Sequence, residues 1–312
     1  MSLVNFLDVD VFQPIKNSKE AVTKHHTNCA NCGVAKTDGI KLTPCHICDL
    51  VSYCSEECKN NHQEAHDAEC KVRNLEMFDK ILFRQPEGSH LGDCPLCCLP
   101  MPLDVKYQVA AECCGKLICS GCIYANKKRE FRERLIHRCV FCRKVNPKTD
   151  EEHDKYLEER AEKNDPIALL KIGGNKYKEG KCEEAVQYYS KAAEFGDVES
   201  RYRLSMMYLH GEGVQEDLEA VRQNMIEAAL CGHPIARHNM GGIDECNGMY
   251  DRAVKHYIIS ANLGFDESLN ALKRCYKNGH VSKEDYAGAL RAHQAAVDAM
   301  KSPQRDAAET EE

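Results

Sequence analysis

The sequence predicts small cysteine-rich domains without an ordinary apolar core, followed by an all-α solenoid of helical repeats. Sixteen of the 20 cysteines lie between Cys29 and Cys142, in a chain of 312 residues. The last 170 residues are instead rich in Ala, Leu and Tyr and repeat a pattern every 32–36 residues. This asymmetry excludes a single uniform domain, and the length also favours at least two.

The redox state of the cellular compartment decides whether the cysteines bind metal or form disulfides. Residues 1–8 lack the basic region and the apolar stretch of a signal peptide, so we expect an intracellular protein, cytoplasmic, nuclear or both. Cysteine clusters in a reducing compartment bind metal rather than form disulfides. No apolar run approaches the 18 residues of a membrane span, so we expect no membrane partner. A net charge of −7 argues against a broad nucleic-acid surface.

Changes in composition divide the chain into segments. Apolar residues recur at helical spacing after Lys71 until Pro86 and Gly88 break the pattern, and Thr149 to Glu152 fits a capping box. We predict an N-terminal leader over 1–28, a first cluster over 29–70, a helical linker over 71–93, a second cluster over 94–146, a charged helical linker over 147–164, repeats over 165–300 and an acidic tail over 301–312.

The first cluster contains eight candidate metal ligands. Cys-x2-Cys pairs bring two thiolates onto one ion through a tight turn, and residues four apart lie on one face of a helix. The motif Tyr53-Cys54-Ser55-x2-Cys58 closely resembles the MYND finger, a zinc-binding family. The candidates are Cys29, Cys32, Cys45, Cys48, Cys54, Cys58, His66 and Cys70.

This resemblance implies a cross-brace of two tetrahedral zinc sites. His62 is four residues from both Cys58 and His66 and stays open as an alternative ligand. The family usually carries Asp-Trp shortly before its histidine, and this chain has His62-Gln63, so a peptide contact through that Trp does not carry over. One site would contain Cys29, Cys32, Cys54 and Cys58, and the other Cys45, Cys48, His66 and Cys70.

The second cluster resembles a RING finger. Lys116 stands where the usual RING has a histidine, and a lysine does not replace that ligand. The adjacent Cys113 and Cys114 can both serve instead, as in eight-cysteine RING variants, with Cys98 as the substitute if Cys113 does not ligate. The resemblance implies one zinc on Cys94, Cys97, Cys119 and Cys122, and a second on Cys113, Cys114, Cys139 and Cys142.

RING ligases act by docking a ubiquitin-conjugating enzyme and orienting its charged ubiquitin. The resemblance implies Leu96 as an apolar docking residue, flanked by Val140 and Phe141. Arg143, directly after the last ligand, would bridge the two partners with hydrogen bonds. The insertion 127–138 carries six basic and two acidic residues. Such a run could contact ubiquitin, nucleic acid or a nuclear import receptor, but we interpret it by default as a solvated helix face.

The last segment repeats a two-helix unit. The run Ala192 to Gly196 recurs at Ala228 to Gly232 and more loosely at Ser260 to Gly264. Paired alanines allow close helix approach, and the glycine supplies a left-handed cap after the helix. The run Gly211 to Asp217 and the helix after it resemble a Sel-one-like repeat, a relative of the tetratricopeptide repeat. About four units would fit, and the third departs from the pattern with Glu245 where Tyr is expected. The resemblance implies that the repeats bind other proteins on their concave face.

The hypothesis is a zinc-dependent ubiquitin ligase that recruits protein substrates through its repeats and MYND finger. A non-enzymatic protein-binding scaffold is the alternative. A SET-type methyltransferase, the other frequent companion of MYND fingers, is excluded because repeats occupy the residues after 164. Four zinc ions, each closed by four protein ligands, would stabilise the first half and leave no open position for metal-assisted hydrolysis. Chelators should therefore unfold the first half and leave the second folded.

Overall fold

The computed structural model describes residues 27–37, 39–48, 50–147 and 149–310. The predicted leader lies outside the described residues except for its last two positions. The chain divides into two compact units, one ending at Arg84 and one beginning at Gln85.

The first unit contains a two-stranded sheet and one long helix. Strands β1 (Thr43–Pro44) and β2 (Ser52–Tyr53) pair antiparallel, and helix α1 spans Glu56–Leu82. Ser55 caps α1 by accepting the backbone N–H of Cys58, as expected of a serine before two glutamates. The helical pattern that the sequence shows after Lys71 is therefore the continuation of the first cluster's own helix, without a break.

The second unit begins with the second cysteine cluster. A 3-10 turn (Val105–Tyr107) leads into strand β3 (Gln108–Ala110), which pairs antiparallel with β4 (Leu117–Cys119), and helix α2 (Ser120–Arg132) follows directly. Helix α3 (Asp150–Ala161) occupies most of the charged linker. Thr149 accepts the N–H of Glu152 as a cap, which is the capping-box contact that the sequence predicts.

Eight helices then pack in chain order as four pairs, which confirms the all-α solenoid class. Gly196, Gly232 and Gly264 follow the second helices of the first three pairs with φ of +88°, +83° and +92°, which confirms the left-handed caps. The helices are α4 (Pro166–Lys178), α5 (Cys182–Glu194), α6 (Val198–His210), α7 (Leu218–Leu230), α8 (Pro234–Cys246), α9 (Tyr250–Asn262), α10 (Asp266–Lys277) and α11 (Lys283–Ala299).

Close packing between paired helices explains two glycines in helix interiors. A Cβ on Gly173 would lie 2.8 Å from the ring of Tyr189, and one on Gly241 would lie 2.7 Å from the ring of Tyr257. Both tyrosines are fully buried, so the missing side chains make room for them. Tyr257 donates its hydroxyl to Glu245 at 2.6 Å, which gives the residue that departs from the repeat pattern a buried partner.

The segment that the sequence predicts to be an acidic tail contains a further helix, α12 (Pro303–Thr310). Its start is a serine followed by proline: Ser302 Oγ accepts the N–H of Arg305 at 3.3 Å, and Pro303 takes the first helical position. Helix α12 packs against α2, and Arg305 and Ala308 are buried. Composition predicts only an acidic tail, because it counts the acidic residues and cannot show that Arg305 and Ala308 are buried. Among the described residues, no helix is long and apolar enough to cross a membrane.

Candidate metal centres

The first unit brings the eight predicted ligands of residues 29–70, hereafter the first finger, into two groups of four. In each group the ligand atoms all lie within 4.8 Å of one another. A tetrahedral zinc site with Zn–S bonds of about 2.3 Å requires S–S separations of about 3.8 Å. The separations are 3.5 Å for Cys32–Cys54 and 3.6 Å for Cys54–Cys58 in the first group, and 3.8 Å for Cys45–Cys70 in the second. Both groups therefore suit zinc.

The histidine of the second group is His66. Its Nε2 lies 3.2 Å from Cys48 Sγ, and the side chain is buried among the three sulfurs. The alternative ligand His62 lies outside the group: its Nδ1 is 3.2 Å from the hydroxyl of Tyr53, and its ring stacks on that of His66 at 5.9 Å. This position suits a residue that supports the ligand His66 rather than one that replaces it.

Residues 94–146, hereafter the second finger, also form two groups of four, interleaved along the chain. In one group, the sulfur of Cys94 lies 3.9 Å from that of Cys122, and the sulfur of Cys97 lies 3.8 Å from that of Cys119. In the other group, Cys114 lies 3.7 Å from Cys139, and Cys113 lies 3.1 Å from Cys142. The described residues therefore contain four groups compatible with zinc, in the pairings that the resemblances imply, and Cys98 belongs to none of them.

Three Cys-x2-Cys turns share one backbone geometry. The N–H of the first cysteine (Cys29, Cys94 or Cys139) donates to the carbonyl five residues on, at 2.8, 2.9 and 2.8 Å. The residue four positions after it donates back at 2.9, 2.8 and 3.1 Å and is left-handed. That residue is Gly33, Cys98 or Arg143, with φ of +74°, +54° and +62°. Cys98 is thus the turn residue that follows a ligand pair, and its thiol is exposed.

The same turn recurs where the sequence has Ala111 in place of the first cysteine. The N–H of Ala111 donates to Lys116 O at 2.8 Å, that of Gly115 donates to Ala111 O at 2.6 Å, and Gly115 has φ +70°. Cys114 takes the place of the second ligand of such a turn. The adjacent Cys113 therefore supplies the thiol that Ala111 lacks, which explains why this finger uses two consecutive cysteines.

Backbone N–H groups converge on the first cysteine of each of the three turns. Burial raises the pKa of these thiols, but the N–H groups outweigh it and lower the pKa of Cys29 and Cys94 to about 6 and that of Cys139 to about 7. The N–H of Cys119, for example, points at Cys94 Sγ from 3.5 Å. Zinc binds thiolates rather than thiols, so each turn offers one ligand that ionises readily.

Arg160, near the end of α3, contacts the turn at Gly115. Its Nη1 donates to Glu112 O at 2.9 Å, and its Nε and Nη2 pair with Asp165 at 3.1 and 3.0 Å. A Cβ on Gly115 would clash with this guanidinium. The left-handed backbone favours glycine here, and the close approach of Arg160 excludes any side chain.

Arg305 of α12 makes the corresponding contact with the other zinc group of the second finger. Its Nη1 donates to Pro100 O at 2.7 Å, and its Nη2 lies 3.4 Å from Cys97 Sγ. Four thiolates around one Zn²⁺ carry a net charge of about −2, so a buried guanidinium beside them is electrostatically favourable. Neither arginine is predicted by the sequence, although Ser302-Pro303, as a helix start, points to the helix that contains Arg305.

The predicted docking residues occupy different environments. Leu96 is 42% exposed, and Arg143 is exposed. Val140 and Phe141 are half-buried and pack against the core of the second finger, which includes Met101 and Ile118.

His90, Glu199 and His233 form a further cluster of metal-ligating type, but its geometry does not suit a metal. His233 Nδ1 accepts the N–H of Ala236 at 3.1 Å, so its proton lies on Nε2, which is 3.0 Å from Glu199 Oε2. The two imidazoles stack at 4.3 Å with 18° between their planes, and lone pairs in nearly parallel planes do not converge on one ion. We interpret His233 and Glu199 as a hydrogen-bonded pair on which the ring of His90 stacks.

Comparison with known proteins supports part of this architecture. Residues 29–70 match the family model of the MYND finger. Over 58 residues the chain is 50% identical to an exopolysaccharide production negative regulator of Rhizobium meliloti (strain 1021) and 48% identical to one of Rhizobium leguminosarum bv. viciae. Each match spans 18% of this chain and 22% of the relative, so the chain covers about a fifth of the curated relatives that it matches.

Solved structures that are similar to the chain include the following two. A Sel1 repeat protein from Oxalobacter formigenes is 25% identical, with a TM-score of 0.42 over 57% of this chain and 73% of that one. A protective antigen of uropathogenic Escherichia coli that displays an SLR fold is 20% identical, with a TM-score of 0.38 over 54% and 37%.

Proposed function

We propose that the chain is a zinc-dependent ubiquitin ligase of the RING type, whose second finger docks a charged conjugating enzyme. The observation that carries this proposal is the interleaved pair of four-cysteine groups with Leu96 and Arg143 exposed beside them. Zinc fingers and helical repeats are protein-interaction modules, so the first finger and the repeats would recruit the substrates.

The chemistry of such a ligase is orientation. Every zinc group already has four protein ligands, so no coordination position remains for a water nucleophile, and zinc would serve only to hold the finger folded. Leu96 would enter an apolar contact with the conjugating enzyme. Arg143 would donate hydrogen bonds from its guanidinium to both the enzyme and its ubiquitin. The backbone N–H of Arg143 donates to Cys139 O at 3.1 Å, and this bond holds the residue in place.

A non-enzymatic scaffold is the second candidate. The half-burial of Val140 and Phe141 favours it, because both are involved in the finger's own packing and offer less surface to an enzyme. The short stretch shared with bacterial negative regulators is also compatible with regulation by binding.

Autoubiquitination with a broad panel of conjugating enzymes distinguishes the two. The wild type should build chains with at least one enzyme, and Leu96→Ala and Arg143→Ala should abolish this while keeping the zinc content. Val105→Ala is the matched control for Leu96, because Val105 is also an exposed apolar residue of the second finger. Inactivity with the whole panel would reject the ligase and leave the scaffold.

A further inference from the structure

The end of α2 and the loop after it expose three large apolar side chains. Phe131 is 85% exposed, Ile136 66% and Leu135 48%. They lie within residues 127–138, hereafter the cationic tip, for which the charges predict a solvated helix face. Three neighbouring apolar side chains in water do not fit that interpretation, because apolar groups rimmed by polar ones mark interaction sites.

The backbone holds these side chains at the surface. After α2, Arg134 adopts φ +53°, and the N–H of Leu135 donates to Glu130 O at 2.8 Å, which ends the helix in a tight left-handed turn. Glu130 is buried, and its carboxylate lies 2.6 Å from His137 Nδ1. This contact holds the loop at the residue that follows Leu135 and Ile136. The arrangement presents Phe131 and Ile136 outward as part of the fold.

The exposed charges around the three residues are predominantly positive. The tip has a net charge of +4 in a chain of net charge −7. Of its two acidic residues, Glu130 is buried against His137, and Glu133 pairs with Arg132 at 3.2 Å. All six cations are exposed: Lys127, Lys128, Arg129, Arg132, Arg134 and Arg138.

We propose that the cationic tip docks on a negatively charged phospholipid bilayer. Such a surface offers anionic headgroups to the cations and, directly beneath them, hydrocarbon to Phe131, Leu135 and Ile136. A nucleic-acid backbone would engage the cations but leave Leu135 and Ile136 in water. Eleven of the twelve residues of the tip are exposed, so the tip is a projection, and a soft surface surrounds a projection more readily than a rigid protein groove does.

Vesicle sedimentation of the full chain tests this proposal. We expect binding to vesicles of phosphatidylcholine mixed with phosphatidylserine, and little to vesicles of phosphatidylcholine alone. Phe131→Ser with Ile136→Ser should weaken the binding by about tenfold or more, and Lys127→Gln with Arg132→Gln should weaken it and reduce its dependence on salt. Val105→Ser is the control, because Val105 is an apolar residue of the same finger with 74% exposure and lies outside the tip.

Several outcomes would overturn the proposal. Absence of sedimentation with the mixed vesicles would do so, and so would binding that the Phe131/Ile136 variant leaves unchanged. Capture of the tip by an RNA or an acidic peptide without vesicle binding would assign it to another partner. We expect every variant to fold, because all the changes lie at exposed positions. Zinc content and circular dichroism check that each variant is folded. The ligase assay reports separately, because none of these substitutions affects Leu96 or Arg143.

Discussion

The guanidinium of Arg305 lies 3.4 Å from the sulfur of Cys97, although 208 positions separate the two residues in the chain. The contact joins the last helix, α12, to a zinc group of the second finger. Arg160 joins α3 to the other zinc group through Glu112 O at 2.9 Å. The second finger and the helical repeats therefore belong to one folded unit.

Replacing Arg305 should weaken the second finger. Arg305→Ala removes a buried cation from beside four thiolates and leaves Pro100 O without its donor, which we expect to cost about 2–3 kcal/mol of unfolding free energy. Zinc release to a colorimetric chelator should then be faster for the ions of the second finger and unchanged for those of the first. Arg291→Ala, at an exposed position of α11, is the matched control. Equal release rates in wild type and Arg305→Ala would show that the contact contributes nothing.

Removal of zinc should reach further than the sequence suggests. The sequence predicts that chelators unfold the cysteine-rich half and spare the repeats. Because α3 and α12 are both attached to the second finger, we expect chelation to lower the amide-exchange protection of α3 and α12 as well. Helices α7 and α8, in the middle of the repeats, should keep theirs. If the protection of α3 and α12 does not change, the repeat half of the chain folds independently of the cysteine-rich half, as the sequence predicts.

The sequence predicted most of what local chemistry determines. Ligand pairs, left-handed glycines and the capping box at Thr149 each depend on residues a few positions apart, so their spacing is readable. The four groups of ligands could also be paired from family resemblance.

Contacts between distant segments could not be predicted in this way. Nothing near Arg160 or Arg305 in the chain indicates a zinc group, because their partners are brought to them by the packing of the whole unit. The role of the segment 127–138 was missed for a different reason: its charges predict a solvated face, and they draw attention away from Phe131, an apolar side chain that is 85% exposed among them.

Zinc analysis tests the assignment of the spare cysteine. The wild type should contain four zinc ions per chain. Cys98→Ser should also contain four, because the thiol is exposed and lies outside the ligand groups, whereas Cys113→Ser should lose one. Cys98→Gly should even stabilise the chain, by about 0.5–1 kcal/mol, because glycine relieves the left-handed backbone at φ +54°. Two or fewer ions in the wild type would contradict the cross-brace in at least one finger.

Glycine at position 115 should be irreplaceable. Gly115→Ala adds a Cβ that strains a backbone at φ +70° and displaces the guanidinium of Arg160. We expect a loss of about 2 kcal/mol or more and a lower midpoint in thermal unfolding. Gly288→Ala in α11 is the control, because its Cβ would meet open space and alanine favours a helix. If Gly115→Ala unfolds at the same temperature as Gly288→Ala, the close approach of Arg160 has no energetic weight.

His90 should make the second unit sensitive to mild acid. Burial, together with the neighbouring His233, lowers the pKa of His90 from 6.5 to about 4, although Glu199 acts in the opposite direction. Between these values the unfolded chain binds a proton that the folded chain excludes, so stability falls as the pH drops from about 6.5 towards 4, by at most about 3 kcal/mol. His90→Gln should unfold with a smaller drop in midpoint between pH about 7 and pH about 5 than the wild type does. His210→Gln, at an exposed position, controls for the loss of a histidine, and because both variants keep every zinc ligand, acid release of zinc affects them equally. An unchanged pH dependence in His90→Gln would show that His90 is not the group that titrates.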